Sequence, residues 1–233
     1  ITAYGGSAVD AVCITNMDIL TPSLSRTAVA ILPTSTSRGG DALIVDSSIK
    51  NIKDLKGTKI YGLSKSVSEY TFVRNLELLG EKESDYNFTS KGPDAAAIAM
   101  QQKQVKAIVV WNPFVLSTLD KRKDCKVLFD SSTIPEEIID MVVVAADSLK
   151  KEGGDRFAKA VCASFYAINK RLADPKLRKE TLKTRSEKFA SLDNANMEKV
   201  VKQTLFYKSA AEGSKLFTGK TLPETMKKVI SFC

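Results

Sequence analysis

The stretch VKAIVVWNPFVL, residues 105–116, has the pattern of a buried strand, a polar turn and the start of a helix. Pro113 suits the first turn of a helix, because the N–H that proline lacks has no intrahelical partner there in any case. A second stretch, VDAVCITNMDIL at residues 9–20, aligns with the first without gaps and matches it at a valine, an alanine, a β-branched residue, an asparagine and a leucine. The repeat predicts two related α/β lobes, although any two strand–turn–helix units can share such spacing.

Beyond these two stretches, short β-rich runs alternate with helical patterns, which is typical of βαβ units and mainly parallel sheets. The predicted strands are residues 11–15, 28–32, 42–46, 59–63, 86–89, 107–111, 126–129 and 141–146, and the predicted helices between them are residues 67–79, 93–104 and 113–122. From Gly154 onward helices are predicted at residues 155–172, 177–189, 196–207 and 223–232. We therefore expect an α/β fold with a helical C-terminal region.

Fewer residues precede the first copy of the repeat than the symmetry with the second copy predicts. A strand, a helix, a second strand and another helix precede the second copy, whereas only residues 1–8 precede the first. By this symmetry we expect the first lobe to be N-terminally truncated and to lack roughly 40–50 residues, since a βαβ crossover takes about 30.

Composition narrows the function classes. The 233 residues carry 35 Lys and Arg against 27 Asp and Glu, a net charge of +8, and no His. Without imidazole the chain cannot form a His-dependent triad, an HExxH site or a zinc-finger site with His ligands. Basic and acidic residues alternate between residues 170 and 202, which favours a solvated surface over nucleic-acid binding. No apolar run approaches the roughly 20 residues that span a bilayer, and four widely spaced Cys predict free thiols.

Polar side chains follow four of the predicted strands, in loops at residues 15–18, 33–40, 64–69 and 111–114. In open parallel sheets, ligands bind beyond the carboxyl ends of the strands, where helix N-termini offer N–H groups. Ser66 to Glu69 fits a capping box, in which the Ser66 hydroxyl accepts from the amide of Glu69 and the Glu69 carboxylate accepts from the amide of Ser66. This arrangement leaves the amides of Val67 and Ser68 and the Ser68 hydroxyl as candidate donors to an anion.

Some candidate residues also have a purely structural interpretation. Asn16 and Asp18 can cap a helix, because their side chains accept hydrogen bonds from backbone amides. Trp111, the only Trp, can be a core residue or the wall of a pocket. Asp140 precedes an apolar run, where its carboxylate can recognise an amine or cap a turn.

Several motifs, taken in order and spacing, resemble one family. They are VDA at residues 9–11, IKDLKGTKI at 52–60, SVS at 66–68 and WNP at 111–113. They resemble the solute-binding proteins of ABC transporters in the nitrate, sulfonate and taurine group, which includes the NMT1/THI5-like pyrimidine-precursor proteins. The resemblance covers nearly the whole chain and implies a two-lobe periplasmic-binding-protein type II fold, a venus flytrap. Lobe one would comprise residues 1–58 and 136–233, and lobe two residues 59–135.

The resemblance also implies a function, which is not enzymatic and for which we expect no catalytic residue, no metal site and no cofactor. A small polar or anionic solute, such as a sulfonate, taurine or nitrate, would bind between the lobes and be delivered to an ABC transporter permease. The protein is expected to be a monomer in the periplasm or another extracytoplasmic compartment. No Arg is fixed opposite the Ser66 turn, so the anion is not identified, and Glu69 and Asp140 leave room for an amine-bearing ligand such as taurine. The ligand contacts carried over by position would be Thr15, Asn16, Ser35, Thr36, Ser66, Ser68, Trp111 and Asn112.

Two other functions stay open. A THI5-like pyrimidine synthase consumes an active-site His, and this chain has none, which argues against that activity. The effector domain of a LysR-type regulator shares the two-lobe fold. In such a regulator a helix-turn-helix would precede residue 1, so the upstream sequence distinguishes it from an exported receptor.

Overall fold

The computed structural model describes residues 1–21, 26–188 and 192–233, and the chain forms two compact units. The first unit comprises Ile1–Thr36, Glu136–Glu198 and Leu205–Cys233. The second comprises Ser37–Pro135 and Lys199–Thr204. None of the helices in these described ranges has the length and apolar character needed to cross a membrane.

Strands and helices alternate along most of the chain, which confirms the α/β class. The strands are β1 (Ala11–Thr15), β2 (Ala28–Ser37), β3 (Asp41–Asp46), β4 (Lys59–Gly62), β5 (Asn87–Ser90), β6 (Ala107–Trp111), β7 (Cys125–Asp130), β8 (Ile139–Ala145) and β9 (Thr204–Phe206). The α-helices are α1 (Thr2–Gly5), α2 (Val67–Leu78), α3 (Pro93–Met100), α4 (Phe114–Lys121), α5 (Ala146–Leu149), α6 (Gly154–Ala173), α7 (Pro175–Lys188), α8 (Asn194–Lys202), α9 (Ala210–Thr218) and α10 (Thr221–Phe232).

The sheet of the first unit has the strand order β1-β8-β2-β9. Strand β8 runs antiparallel to both β1 and β2, so the expectation of mainly parallel sheets is wrong here. The reason is that β8 begins beside the carboxyl ends of β1 and β2 and can only run back along them. Met141 and Val143 of β8 form an apolar cluster with Leu216 of α9. Asp140 lies on the opposite face of β8, because successive side chains of a strand alternate between faces.

The sheet of the second unit has the order β5-β4-β6-β3-β7. Strand β4 runs parallel to β5 and β6, whereas β3 runs antiparallel to its neighbours β6 and β7. All six residues of β3 are buried, with Leu43 and Val45 in one apolar cluster and Ala42 and Ile44 in a second. Such a continuous buried run is what a sheet covered on both faces requires.

The first boundary between the units differs from the predicted one. Residues 37–58 belong to the second unit, whereas the sequence analysis placed them in lobe one. The reason is that β3 hydrogen-bonds to β6 and β7. Residues 199–204 also join the second unit.

Three local predictions differ from the structure. Residues 33–37 continue β2 instead of forming a loop, and the pairing of β2 with β8 shifts register between Pro33 and Ser35. The helix predicted at 196–207 ends at Lys202 and is followed by β9. In the first copy of the repeat, β1 leads into a 3₁₀ turn, Asp18–Leu20, rather than a helix. The predicted helix end at residue 189 lies outside the described residues.

Candidate functional site

The carboxyl ends of the parallel strands in the second unit meet at one edge of its sheet. Strands β4, β5 and β6 end at Gly62, Ser90 and Trp111, and Gly62 is paired with Ser90. Strand β3 runs the other way, so its first residue, Asp41, pairs with Trp111. The loops after the parallel strands therefore converge with the turn before β3. We call this the sheet edge, and open α/β sheets bind ligands at such an edge.

Ser66 is the N-cap of α2 at the sheet edge. Its Oγ accepts a hydrogen bond from the Ser68 N–H at 3.1 Å and donates one to the Leu63 carbonyl at 2.6 Å. The Glu69 carboxylate accepts from the Lys65 N–H at 2.6 Å. The prediction of a capping box is therefore wrong: the Ser66 hydroxyl accepts from the amide of Ser68 rather than that of Glu69, and the Glu69 carboxylate accepts from the amide of Lys65 rather than that of Ser66. Lys65 has a left-handed φ of 54°, so the chain turns tightly before the helix and brings the Lys65 amide to Glu69.

Ser68, in the first turn of α2, has a buried hydroxyl without a hydrogen-bond partner. The residue is 1% exposed. Thr71, one turn later, has the same property at Oγ1. A buried polar group without a partner costs about 1–3 kcal/mol. Ser68 lies at the positive end of a 12-residue helix, where the helix dipole favours an anion.

Trp111 and Asn112 follow β6 at the same edge. The Asn112 N–H donates to the Gly40 carbonyl at 2.9 Å, and its Nδ2 donates to Gln203 Oε1 at 2.7 Å. The Asn112 Oδ1 is buried and has no partner. The partly buried Trp111 ring packs edge-on against Phe114, with the ring centroids 6.4 Å apart. The position of Trp111 is compatible with a core residue and with the wall of a pocket. The Asn112 Oδ1 can still accept a hydrogen bond.

Two residues that the sequence analysis did not select organise the turn before β3. Ser131 Oγ accepts from the Gly39 N–H at 2.8 Å and lies 2.7 Å from Ser37 Oγ. The Gln203 carbonyl accepts from the Arg38 N–H at 2.9 Å. The hydroxyl-rich run 130–133 after a predicted strand could have indicated Ser131. Gln203 had no such signal, because it lies in a stretch with a helical pattern.

The first unit contains the other four predicted contacts, beginning with Thr15 and Asn16. Thr15 Oγ1 donates to Asp18 Oδ2 at 2.9 Å. Asn16 is 1% exposed, and its carboxamide donates to the Glu137 carbonyl at 3.1 Å and accepts from the Ile139 N–H at 3.0 Å. The Asn16 side chain thus joins β1 to the start of β8, which is a structural role.

Ser35 and Thr36 lie within β2 and also bond to β8. Ser35 Oγ donates to Asp140 Oδ2 at 3.0 Å, and Thr36 Oγ1 donates to the Ile138 carbonyl at 2.8 Å. Asp140 is paired in register with Thr15 on one side and with Ser35 on the other. Ser35 therefore bonds to the partly buried carboxylate of Asp140, whereas the hydroxyl of Thr15 bonds to that of Asp18.

The eight predicted contacts thus form two groups of four, one in each unit. In the first unit the hydroxyl and amide groups of all four bond to other groups of the protein. In the second unit Ser68 Oγ and Asn112 Oδ1 are buried without partners. The second group therefore has more capacity to bind a ligand.

We expect Asp140→Asn to be more stable than the parent chain at pH 8. Burial raises the pKa of Asp140 from 3.8 to about 6, against the effect of the Ser35 hydrogen bond. A carboxyl whose folded pKa exceeds its unfolded pKa binds its proton more tightly when folded, so the free energy of unfolding falls as the pH rises from about 4 to 6 and stays lower above it. This pKa difference corresponds to roughly 3 kcal/mol, and Asn cannot ionise.

Urea denaturation of both proteins at pH 4 and pH 8 measures this difference. Asp147→Asn is the control, because Asp147 is exposed and its salt bridge to Arg26 lowers its pKa. That variant should gain no stability at pH 8. An Asp140→Asn protein that is no more stable than the parent at pH 8 would contradict the prediction.

No group of three or more His, Cys, Asp and Glu side chains that could hold a metal ion occurs within residues 1–21, 26–188 and 192–233. The four thiols, Cys13, Cys125, Cys162 and Cys233, are free, as predicted. Burial raises the pKa of each thiol, so none has the lowered pKa of a reactive cysteine.

The sequence and the fold can now be compared with known proteins. The family model described as NMT1/THI5 like matches residues 27–177, which is more than half of the chain. No curated protein matches the chain.

Several solved structures match over almost the whole chain. The periplasmic aliphatic sulphonate binding protein SsuA from Escherichia coli is 19% identical, with a TM-score of 0.78 over 99% of this chain and 72% of that one. The alkanesulfonate-binding protein SsuA from Xanthomonas axonopodis pv. citri, bound to MOPS, is 16% identical, with a TM-score of 0.74 over 97% and 78%. A ligand-binding component of an ABC-type import system from Staphylococcus aureus, with zinc bound, is 12% identical, with a TM-score of 0.73 over 98% and 76%.

At these identities the structural matches establish the fold, which is the periplasmic-binding-protein type II fold that the resemblance implied. The named neighbours are binding proteins of the periplasm or of import systems rather than enzymes. The family itself follows from the sequence match over residues 27–177. This chain belongs to the NMT1/THI5-like family.

Proposed function

We propose that this protein is the extracytoplasmic solute-binding component of an ABC importer, which binds a small polar or anionic solute and delivers it to the permease. The observation that carries the proposal is the Ser68 hydroxyl, which is buried without a partner in the first turn of α2. Family membership and the binding proteins that share the fold support it.

The chemistry of the sheet edge suits an oxyanion. A sulfonate, nitrate or carboxylate oxygen can accept a hydrogen bond from the Ser68 hydroxyl while the dipole of α2 stabilises its charge. A bound anion would thus satisfy a donor that is unsatisfied in the protein alone. The net charge of +8 favours the approach of anions from solution.

The same residues offer little for catalysis. Ser68 would need a neighbouring general base to act as a nucleophile, and its Oγ makes no hydrogen bond to any side chain. The Asn112 carboxamide does not ionise near neutral pH, so it cannot serve as a general acid or base. Binding and release therefore account for the residues at the sheet edge without a chemical step.

A thermal-shift screen tests the proposal. We expect at least one compound among nitrate, bicarbonate, alkanesulfonates, taurine and pyrimidine precursors of thiamine to raise the melting temperature. A ligand at about 100 times its dissociation constant adds roughly 2.7 kcal/mol, and about 1 kcal/mol moves the midpoint of a protein of this size by roughly 2–4 °C. Sodium chloride at matched ionic strength is the control. No shift with any compound in the panel would contradict the proposal.

A further inference from the structure

Arg185 lies on the inward face of α7, next to residues that are buried. Leu182, one turn earlier, and Ser186, the next residue, are buried, and Arg185 itself is partly buried. Within the described part of the chain, the Arg185 guanidinium makes no hydrogen bond and no salt bridge. Burial lowers the pKa of Arg185, and no carboxylate among the described residues offsets that effect. Arg185 is therefore a partly desolvated cation to which these residues supply no counter-charge.

A second arginine of α7 shows what Arg185 lacks. Arg178 precedes Arg185 by seven residues, which is about two turns, and so lies on the same face of the helix. Its guanidinium donates to the Leu172 carbonyl at 2.7 Å and to Glu198 Oε1 at 2.7 Å. Removing a cation from water is unfavourable unless an acceptor with a negative charge replaces the water. The described residues provide such an acceptor for Arg178 but not for Arg185.

The aromatic ring of Phe206 restrains the Arg185 side chain. Phe206 belongs to β9, and Cζ of Arg185 lies over its ring, 5.7 Å from the ring centroid. The ring attracts the positive charge, but it has no oxygen or nitrogen that could accept a hydrogen bond. The contact therefore restrains the guanidinium and leaves its N–H donors for another acceptor. A side chain that is already restrained loses less conformational freedom when a ligand binds.

The chemistry of the guanidinium defines the class of ligand. Its N–H donors form a planar fork that matches two oxygens of a carboxylate or a phosphate group. Hydrogen bonds between a guanidinium and such an oxyanion are shorter and stronger than hydrogen bonds between neutral groups. A halide ion has a single centre and cannot place two oxygens opposite the fork. A neutral hydroxyl brings no negative charge.

We propose that Arg185, restrained by Phe206, forms a binding site for a small oxyanion with two adjacent acceptor oxygens, such as a carboxylate or a phosphate group. The bound oxyanion supplies the counter-charge that the described residues lack. This site is independent of the proposed function, because Arg185 and Phe206 belong to the first unit and Ser68 belongs to the second.

NMR titrations of the ¹⁵N-labelled protein test the site, with sodium acetate and inorganic phosphate as probes and sodium chloride at equal ionic strength as the reference. We expect acetate or phosphate to shift the Arg185 Nε–Hε signal and the Phe206 amide signal until both saturate, whereas chloride should cause no saturable shift. Arg185→Lys keeps the charge but loses the fork, so the dissociation constant measured at the Phe206 amide should rise at least fivefold. In Arg185→Met no saturable shift should remain at Phe206.

Lys183→Met is the matched control for these titrations. Lys183 is an exposed cation of the same helix, so its removal changes the net charge by the same amount as Arg185→Met does. This variant should bind acetate and phosphate with the dissociation constants of the parent. Ser68→Ala should also leave the Arg185 titration unchanged, which separates a failure here from a failure of the proposed function.

Stability without the oxyanion separates ligand binding from a structural role of Arg185. Methionine retains an apolar stem and carries no charge, so Arg185→Met should be at least as stable as the parent in urea denaturation in chloride buffer. Arg178→Met should be less stable than the parent, because it leaves Glu198 without its cation.

Four results would overturn the proposal. If neither probe shifts the two signals, Arg185 binds no oxyanion. Shifts that chloride reproduces at equal ionic strength show only an unpaired cation that attracts any anion. Shifts at Phe206 that persist in Arg185→Met show that the anion binds elsewhere. A loss of stability in Arg185→Met comparable with that in Arg178→Met shows that the protein itself already satisfies the guanidinium.

Discussion

Arg122→Ala is expected to lower the free energy of unfolding by about 3–5 kcal/mol, because the change leaves a buried carboxylate without its closest cation. Arg122 is 6% exposed, and its Nη2 lies 2.8 Å from Oδ2 of Asp46, which is 7% exposed. The guanidinium also donates to the Met100 carbonyl at 2.5 Å and to both carboxylate oxygens of Asp124, at 2.7 and 2.9 Å. One side chain thus ties together β3, the end of α3 and the start of β7.

Asp46 cannot escape the loss of Arg122 by taking up a proton at neutral pH. Hydrogen bonds from Ser48 lower the pKa of Asp46 to about 2 against the opposing effect of burial. Its other cation, Lys106, is farther away at 3.3 Å and more exposed. The carboxylate therefore stays ionised in the variant.

Urea denaturation at pH 7 measures the effect, and Lys123→Ala is the neighbouring control. Lys123 pairs with Asp120 on the surface, where both side chains are at least 70% exposed, so its removal should change stability by less than about 0.5 kcal/mol. The double variant Arg122→Met/Asp46→Leu removes both buried charges and should recover much of the loss. A loss below about 1 kcal/mol in Arg122→Ala would refute the argument.

Local sequence patterns predicted the loops that carry Ser66 and Trp111 but not the hydrogen bonds that their residues make. The strands before Ser66 and before Trp111 are apolar runs that stop at polar residues, so the loops after them could be found from sequence. Whether a polar side chain in such a loop already has a hydrogen-bond partner within the protein depends on strands that are distant in sequence. Asn16 bonds to the backbone at Glu137 and Ile139, and Ser35 bonds to Asp140, 105 residues away. Periodicity carries no information about such pairings.

The secondary structure predicted for the C-terminal region differs from the structure for a similar reason. Strand β9 interrupts a helical pattern because the edge of the first sheet offers backbone partners, as when the Tyr207 N–H donates to the Thr34 carbonyl at 3.1 Å. Gly213 lies inside α9, although glycine weakens a helix interior. A Cβ on Gly213 would approach the Tyr166 hydroxyl to 3.1 Å and the Pro33 ring to 3.3 Å. Glycine is favoured there by close packing, which composition alone does not distinguish from a turn.

Ser68→Ala is expected to weaken ligand binding and, at the same time, to raise the free energy of unfolding of the ligand-free protein. A hydrogen bond to a charged group contributes about 1.5–3 kcal/mol, so the dissociation constants of taurine, isethionate and ethanesulfonate should all rise by roughly 10- to 150-fold. The factor should be similar for the three because they share the sulfonate. Without ligand, the change removes a buried hydroxyl that has no partner, and the free energy of unfolding should rise by up to about 1 kcal/mol. Calorimetric titration and urea denaturation measure the two effects.

Thr71→Val separates ligand contact from the general cost of an unpaired hydroxyl. Thr71 Oγ1 is also buried without a partner in α2, but it lies beyond the first turn, so its replacement should stabilise the free protein and leave the three dissociation constants unchanged. Ser68→Ala and Thr71→Val then have different signatures: the first weakens the binding of all three sulfonates by a similar factor, and the second leaves their binding unchanged. If Ser68→Ala stabilises the protein but binds the sulfonates as tightly as the parent does, the Ser68 hydroxyl is only an unpaired group of the core, and the anion is held elsewhere.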